Sequence, residues 1–276
     1  MNYSEVMTFD EFKLFRDLIY KECGIFFKEG KRDFLKIRIE RRLKTLNIRS
    51  YFNYYRHVKD DKKELWSLLD CITINETTFF RNMPQFELFK ERVLPELIEK
   101  KQKTGDYNLM FWSAGCATGE EPYSIAIETV EAIPDTFRWN LRIIATDISL
   151  RCLKIAQDGT YPKEKIRDVP EKYFSKYFVS SDDLCKIKDD VKRFVIFDYH
   201  NLKHENGINN IDIIFCRNVM IYFDTEEQKR ITEKFQKVLN TGGYLFLGQA
   251  ESLHGLTNGN FKFHCWNKGT AYQKVK

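Results

Sequence analysis

A glycine-containing turn between an apolar segment and a helical segment constrains the fold of this chain most strongly. The segment reads Phe111-Trp-Ser-Ala-Gly115-Cys-Ala-Thr-Gly119-Glu120-Glu121-Pro-Tyr-Ser. Glycine tolerates positive φ and close approach of a ligand, and proline fits the first turn of a helix. A second apolar segment, 141–147, ends in Asp147, whose carboxylate can bind the two hydroxyls of a ribose. These features predict a nucleoside pocket in a doubly wound α/β sheet; the alternative is a turn that only connects a strand to a helix.

The spacing of the glycines and the charges that follow them select among nucleotide cofactors. Dinucleotide sites use Gly-x-Gly-x-x-Gly, which lets pyrophosphate rest on amides at a helix N-terminus. Here Gly115 and Gly119 are four residues apart, and Glu120 and Glu121 follow at once. Two carboxylates repel pyrophosphate but attract an ammonium group. A ligand with a ribose and an α-amino group is S-adenosylmethionine, so we expect this cofactor, with Asp147 at the ribose.

Length and composition bound the class of protein. A chain of 276 residues can bury a sizeable core and divide into a larger and a smaller domain. Its seven cysteines include no Cys-x-x-Cys pair, which is typical of a reducing cytoplasm. The N-terminus does not resemble a secretion signal, and no window of 18 residues is free of charge. We therefore expect a cytoplasmic protein that does not insert into a membrane.

Hydrophobic periodicity predicts a small all-α domain over residues 1–75, followed by a connecting helix over 76–104. A capping box, Thr8-x-x-Glu11, begins the first helix and Gly24 ends it. Further helices are expected at about 31–46, 51–58 and 64–72.

Strands and helices alternate over residues 105–276, which predicts a mostly parallel, Rossmann-like sheet. Its strands are expected at 107–112, 141–147, 193–198, 211–216 and 243–248, with a closing hairpin over 261–274. Alternating residues also predict a small antiparallel β excursion at about 173–197.

Polar residues at the predicted domain junction can bind an anionic group. Asn75, Thr77 and Arg81 lie beside two phenylalanines, and an arginine can hold a carboxylate through two hydrogen bonds. The alternative is a capped helix whose Arg81 makes a salt bridge.

A second group of polar residues follows the predicted strand 211–216. Arg217, Asn218 and Tyr222 come at its carboxyl end, where open α/β sheets bind ligands. Tyr222 is otherwise a half-buried core residue with a satisfied hydroxyl.

Five motifs together resemble one family, the chemotaxis-receptor glutamate O-methyltransferases or CheR family, over nearly the whole chain. They are Asn-x-Thr-x-Phe-Phe-Arg (75–81), Gly-x-x-x-Gly-Glu-Glu-Pro-Tyr-Ser (115–124), Ala-Thr-Asp-Ile (145–148), Phe-Cys-Arg-Asn-Val-Met-Ile-Tyr-Phe (215–223) and Gly-Gly-Tyr-Leu-Phe-Leu-Gly (242–248). The resemblance implies a class I methyltransferase that converts S-adenosylmethionine to S-adenosylhomocysteine while it esterifies receptor glutamates.

The resemblance also implies the site residues. Those that contact the cofactor are Asn75, Thr77, Arg81, Gly115, Glu121, Asp147, Asn201, Leu202, Cys216 and Arg217. Asn218 also lines the pocket in this interpretation, and either Glu120 or Glu121 binds the amino group. Arg81 and Tyr222 are nearest the chemistry.

Such a reaction needs little catalytic machinery. A glutamate carboxylate is ionised at neutral pH, since its ordinary pKa is about 4.3, and needs no general base. Arg81 and Tyr222 then need only align the reacting atoms. We expect no metal, because His200 and His204 have no nearby third ligand in the sequence.

Basic residues are concentrated near the N-terminus. Residues 28–63 hold 13 Lys or Arg against 5 Asp or Glu. Lys31, Arg38, Arg41 and Arg42 are predicted on the solvent side of their helix, away from its leucine stripe. A solvated face and a docking face are both consistent with this charge. The resemblance implies docking on the cytoplasmic methylation helices of a receptor.

The sequence also bears on two alternative functions and on one further partner. Nucleic acid methylation is not expected, because no proline of this chain precedes another proline or a cysteine as in base methyltransferase motifs. A non-catalytic cofactor-binding regulator would lack Arg81 or Tyr222. The segment 178–186 is short and glycine-free, unlike the longer loop with which relatives bind a receptor's C-terminal pentapeptide tether, so the sequence gives no support for tether binding.

Overall fold

A computed structural model describes residues 6–133, 135–257 and 259–276. The chain begins with four helices that enclose a core of their own: α1 (Phe9–Cys23), α2 (Arg32–Leu46), α3 (Tyr51–Asp60) and α4 (Lys62–Ile72). Phe12, Phe15, Leu35, Ile39 and Tyr54 are fully buried there. The 3.6-residue period of these apolar positions explains why each helix presents one face to this core.

The ends of α1 follow the sequence signals. Glu11 donates its backbone N–H to the Thr8 hydroxyl (3.2 Å), and Thr8 donates its own to the Glu11 carboxylate (2.8 Å), so the capping box is confirmed. Gly24 ends the helix at φ 77°, a conformation that glycine adopts without a Cβ clash.

The predicted connecting helix is wrong in its extent. Residues 76–82 are not helical, and the helical part is α5 (Met83–Leu88), a π-helical turn (Phe89–Val93) and α6 (Leu94–Thr104). Pro84 lies in the first turn of α5, where a missing N–H costs nothing, and Pro95 follows the π-helical turn at the start of α6.

The remaining elements form the α/β part of the chain. Its strands are β1 (Asn108–Ala114), β2 (Asn140–Asp147), β3 (Thr160–Pro162), β4 (Phe178–Ser181), β5 (Leu184–Ile187), β6 (Val195–Tyr199), β7 (Ile211–Cys216), β8 (Leu239–Leu247), β9 (Phe261–Trp266) and β10 (Gly269–Lys274). Its helices are α7 (Glu120–Ala132), α8 (Leu150–Asp158), α9 (Lys163–Ile166), α10 (Glu171–Tyr177), α11 (Asp189–Lys192) and α12 (Thr225–Val238).

Seven strands form the main sheet in the order β6-β2-β1-β7-β8-β10-β9. The first five are parallel, and β10 lies antiparallel between β8 and β9. The predicted Rossmann-like sheet and its closing hairpin are confirmed. Because β1 pairs with β2 on one side and β7 on the other, the strand order reverses beside β1, and a crevice opens at the carboxyl ends there.

The small antiparallel sheet differs from the predicted excursion at 173–197. Its order is β3-β5-β4, so it begins earlier, at Thr160, while Val195–Tyr199 belongs to the main sheet. Residues 171–177 are helical. Tyr173 and Tyr177 are buried four residues apart. Residues at this spacing lie on one face of a helix and also on one face of a strand, so the pattern resembled the alternation of a strand.

None of the helices described here has the length and apolar character needed to cross a membrane.

Candidate active site

A cavity of about 690 Å³ opens at the carboxyl ends of β1, β2 and β7. Its size is in the usual range for small-molecule sites. One wall comes from the α/β part, including Gly115, Glu121 and Asp147, and the other from the helical part, including Phe26 and Phe34. The crevice predicted from the strand order is therefore covered by the N-terminal helices.

The glycine turn after β1 shapes one end of this cavity. Gly115 and Gly119 have φ of 85° and 95°. The N–H of Gly115 donates to the carbonyl of Thr146 (2.8 Å), which ties the turn to β2. A Cβ on Gly115 would lie 2.4 Å from a Val219 methyl carbon, so only glycine lets the segment after β7 approach this closely.

Asp147 is buried at the end of β2, where its two oxygens face different backbone groups. The N–H of Ala117 donates to Oδ2 and that of Ser149 to Oδ1, both at 2.8 Å. Each carboxylate oxygen can accept a further bond. Burial raises the pKa of Asp147, against these backbone hydrogen bonds, which lower it. Asp147 thus fixes the glycine turn and also lines the cavity.

The two glutamates after the turn have different environments. Glu121 lines the cavity, accepts a bond from the Ser113 hydroxyl (2.7 Å) and lies 3.4 Å from the guanidinium of Arg217. Glu120 is fully buried outside the lining, where Oε2 accepts from Thr118 (2.6 Å) and Lys165 lies 3.6 Å from Oε1. Burial raises the pKa of both carboxyls. Glu121 is therefore the carboxylate that the geometry makes available to a ligand's ammonium group.

Two arginines lie at the junction between β7 and the segment before α5. Arg217 is buried, and its guanidinium donates to the backbone carbonyl of Arg81. Its Nε has no hydrogen-bond partner within the described residues, and burial lowers the pKa of Arg217. Arg81 is exposed at the cavity lining and donates to the carbonyl of Glu76 (2.9 Å). Arg81 can therefore reorient toward an incoming carboxylate, whereas Arg217 is fixed.

Tyr222 ends a short 3₁₀ turn, Met220–Tyr222, that follows β7. Its half-buried side chain lines the cavity together with Asn218, which adopts the left-handed conformation at φ 60°. Burial raises the pKa of the Tyr222 phenol, and the positive charge of Arg81 opposes this. The hydroxyl is therefore protonated at neutral pH and can donate a hydrogen bond.

The structure separates the remaining predicted contacts into those on the cavity wall and one behind it. Asn75, Thr77, Asn201 and Leu202 line the cavity. The side chain of Asn201 is occupied, because its amide donates to the carbonyl of Glu22 (2.7 Å) at the end of α1. Cys216 is fully buried and is not part of the lining.

Several wall residues were not predicted, since they belong to the helical part. Cys23, Ile25, Phe26, Lys28 and Phe34 line the cavity from α1, α2 and the turn between them. Nothing in their local sequence distinguishes them from core residues. They become wall residues only because the helical part packs against the segment after β7, which is distant in the sequence.

The four basic residues predicted to dock a partner differ in their exposure. Lys31 is exposed at the cavity, Arg41 is exposed on α2, and Arg38 is half-buried with its guanidinium 5.0 Å from the Phe34 ring.

For Arg42 the predicted solvent-facing position is wrong. Its guanidinium donates two bonds, of 2.9 and 2.6 Å, to Glu64, a carboxylate that is only 5% exposed. Tyr54 donates to the same carboxylate (2.7 Å). The buried acid in α4 draws Arg42 inward.

His200 lines the cavity, donates its backbone N–H to the carbonyl of Asp147 (3.0 Å) and packs beside Trp112. Burial, with help from Lys234, lowers the pKa of His200 to about 4. Within the described ranges no cluster of three or more His, Cys, Asp or Glu side chains is arranged to hold a metal ion.

The residues of this cavity fit S-adenosylmethionine. A buried carboxylate at Asp147 can take a ribose, and a second at Glu121 can take an ammonium group. The unpaired Nε of buried Arg217 and the exposed guanidinium of Arg81 suit a carboxylate. Apolar surface from the helical part suits a flat base and the methylene groups of the ligand.

Comparison with known proteins places most of the chain in one family. A family model for the CheR methyltransferase SAM binding domain matches residues 75–268, and one for the CheR methyltransferase all-alpha domain matches residues 10–73.

Full-length relatives agree with these matches. Chemotaxis protein methyltransferase 2 of Vibrio cholerae is 34% identical over 276 residues, covering 98% of this chain and 94% of the relative. The chemotaxis protein methyltransferase of Borreliella burgdorferi is 33% identical and covers 91% of both chains. The protein of that name from Vibrio anguillarum is 34% identical and covers 95% of this chain. The chain therefore belongs to the CheR methyltransferase family, and it is an S-adenosylmethionine-dependent methyltransferase of the class I fold.

Proposed function

We propose that this protein transfers a methyl group from S-adenosylmethionine to glutamate side chains on the cytoplasmic methylation helices of chemotaxis receptors. The products are glutamate methyl esters and S-adenosylhomocysteine, and the reaction serves sensory adaptation in the cytoplasm of a bacterium. The observation that carries the proposal is that one cavity brings Glu121 and Asp147 together with Arg81 and Tyr222.

The cofactor is assigned to the α/β wall. Asp147 binds the ribose, Glu121 the amino group, and Arg81 with Arg217 the carboxylate. Asn75, Thr77, Asn201, Leu202 and Asn218 contribute to the same pocket. The position of Glu120 and Cys216 behind the lining favours an indirect part for both, in which they support the glycine turn and the end of β7.

The chain's own residues bind and align rather than transfer protons. When bound, S-adenosylmethionine supplies a methyl group that is activated by the positive sulfonium. The substrate carboxylate is already the nucleophile at neutral pH. Arg81, besides contacting the cofactor, holds one oxygen of the substrate carboxylate. The protonated Tyr222 hydroxyl donates a hydrogen bond to the same carboxylate, and the helical wall excludes water. Such positioning supplies several kcal/mol of the barrier reduction.

The acidic methylation helices dock on the exposed basic side of the helical part. Lys31 and Arg41, with the half-buried Arg38, form this surface, and Arg42 instead stabilises the bundle. Opposite charge accelerates encounter between such surfaces. Nucleic acid is not a partner in this proposal, since no base-reading element accompanies the charges.

The small sheet does not bind a receptor's C-terminal pentapeptide in this proposal. The loop between β4 and β5 consists of Asp182 and Asp183 alone, and Asp182 has φ 43°. A two-residue acidic turn offers little surface for a peptide. Calorimetric titration with a receptor tether peptide checks this, and micromolar binding would contradict it.

A labelled-methyl transfer assay tests the proposed reaction. Receptor-containing membranes are incubated with the protein and labelled cofactor, and base-labile label is counted, because an ester hydrolyses in base and a methylated amine does not. Excess duplex DNA should inhibit only weakly and in a salt-dependent manner. Base-stable product, or label on purified DNA or RNA, would contradict the proposal.

A further inference from the structure

The carboxylate of Glu251, after β8, accepts hydrogen bonds from three backbone N–H groups that lie beyond the ends of two strands. Oε2 accepts from Asn218 (2.8 Å) and Gly248 (2.5 Å), and Oε1 accepts from Ile221 (3.3 Å). Asn218 and Ile221 lie in the segment after β7, whereas Gly248 directly follows β8. Hydrogen bonds to an ionised carboxylate are stronger than those between neutral groups. Glu251 thus joins the segment that carries Tyr222 to the neighbouring strand.

This segment contains little regular structure of its own, since only the 3₁₀ turn Met220–Tyr222 orders it. Asn218 is in the left-handed region, which asparagine tolerates better than most residues but still at a cost. The carbonyl groups of the segment are bound from α12, where the side chain of Gln228 donates to the carbonyls of Met220 (2.9 Å) and Phe223 (3.1 Å). Glu251 satisfies the N–H groups on the other side, so the two side chains fix both ends of the turn.

Gly248 permits the close approach of the Glu251 carboxylate to the segment after β7. A Cβ at this position would lie 2.7 Å from Oε2 of Glu251 and 2.8 Å from the backbone nitrogen of Asn218. Any side chain at 248 would therefore separate the carboxylate from the segment after β7.

We propose that Glu251 is a positioning residue for methyl transfer: its carboxylate holds the segment 217–222 in the conformation that presents Tyr222 to the cavity. Glu251 itself is outside the cavity lining and touches no reacting group. The inference rests on the proposed role of Tyr222 in alignment.

A double-mutant cycle tests this assignment. Glu251→Ala, Glu251→Gln and Gly248→Ala are each combined with Tyr222→Phe, and kcat, KM for receptor and cofactor affinity are measured. Glu251→Ala should lower kcat on the order of 10- to 100-fold, the loss expected when a positioned group moves by about 1 Å. Glu251→Gln, which retains one acceptor, should lose less, and Gly248→Ala should resemble Glu251→Ala. In the Tyr222→Phe background each loss should largely disappear.

Asp61→Ala is the matched control, because Asp61 also accepts two backbone N–H groups, from Lys63 (2.8 Å) and Glu64 (3.4 Å), but at the start of α4. It should lower the melting temperature and leave kcat unchanged at temperatures where the protein is folded. Unchanged kcat in folded Glu251→Gln and Gly248→Ala, or losses that multiply with that of Tyr222→Phe, would overturn the assignment. A Tyr222→Phe variant with full turnover, or a wild type that does not methylate receptors, would instead contradict the proposed function.

Discussion

The backbone N–H of Phe26 donates a 2.9 Å hydrogen bond to the backbone carbonyl of Tyr222. The next pair along, Ile25 and Phe223, forms an isolated antiparallel bridge. The turn after α1 is therefore in register with the segment after β7. Backbone hydrogen bonding therefore joins the helical part directly to the tyrosine that we assign to alignment.

Tyr222→Phe should lower turnover by about 10- to 100-fold while cofactor affinity stays the same, because the variant loses one hydrogen bond to a charged group and no volume. Arg81→Ala should lower both turnover and cofactor affinity. Steady-state kinetics and calorimetry separate these effects. Tyr199→Phe, outside the cavity lining, is the control, and an intact rate in Tyr222→Phe would exclude its hydroxyl from alignment.

Asp147→Ala should weaken cofactor binding by more than about tenfold, since charge-assisted hydrogen bonds are worth about 1.5–3 kcal/mol each. The variant should also be less stable, because it leaves the buried N–H groups of Ala117 and Ser149 without their acceptor. Calorimetric titration well below the melting temperature measures the affinity. An unchanged dissociation constant would remove Asp147 from the cofactor site.

Arg42→Ala should lower the free energy of unfolding by about 3 kcal/mol, because the buried Glu64 carboxylate loses its charged partner and keeps only the bond from Tyr54. We take the lower end of the usual range since the Arg42 side chain is 20% exposed. Arg41→Ala, one residue earlier and exposed, should change stability little. Urea denaturation of the two variants provides the comparison; equal stabilities would show that the ion pair contributes nothing.

Reversing Arg38 and Arg41 to glutamate should raise KM for receptor by about tenfold and flatten its salt dependence, because steering of an acidic helix is lost. Cofactor affinity should not change. The same reversal at Lys229 and Lys237, which are exposed on α12, controls for net charge. Full receptor methylation by the Arg38 and Arg41 variant would place the docking surface elsewhere.

His200 should make the protein less stable as the pH falls from about 6.5 to about 4. The pKa of His200 is lowered to about 4 in the folded state, so the unfolded chain binds the proton first, and the free energy of unfolding drops by up to about 1.4 kcal/mol per pH unit in this window. His200→Asn should reduce this slope, whereas replacement of the exposed His204 should not. Thermal denaturation across the window tests it, and identical slopes would contradict it.

Local signals in the sequence were sufficient for the strand, turn and helix around Gly115 and for the capped α1, because each depends on residues within one or two turns of the chain. They failed where a distant partner decides the outcome. Arg42 fits the polar side of α2 by spacing, yet a buried glutamate on another helix reorients it. Glu251 follows a recognised motif but carries no pattern of its own, since its three donors come from other segments.

The strand Thr160–Pro162 was missed for a different reason. Three residues are too few to show a period of two, and the strand exists only because β5 pairs with it. The helical wall of the cavity is similarly invisible to local pattern, because Phe26 and Tyr222 meet across most of the chain.

The two walls of the cavity have a consequence for folding cooperativity. A molecule held there contacts both the helical bundle and the α/β sheet, so unfolding of either part alone forfeits its binding free energy. At saturating ligand the two parts should therefore melt as one unit. When the reaction product leaves, this contribution to the link between the two parts is lost until the next molecule binds.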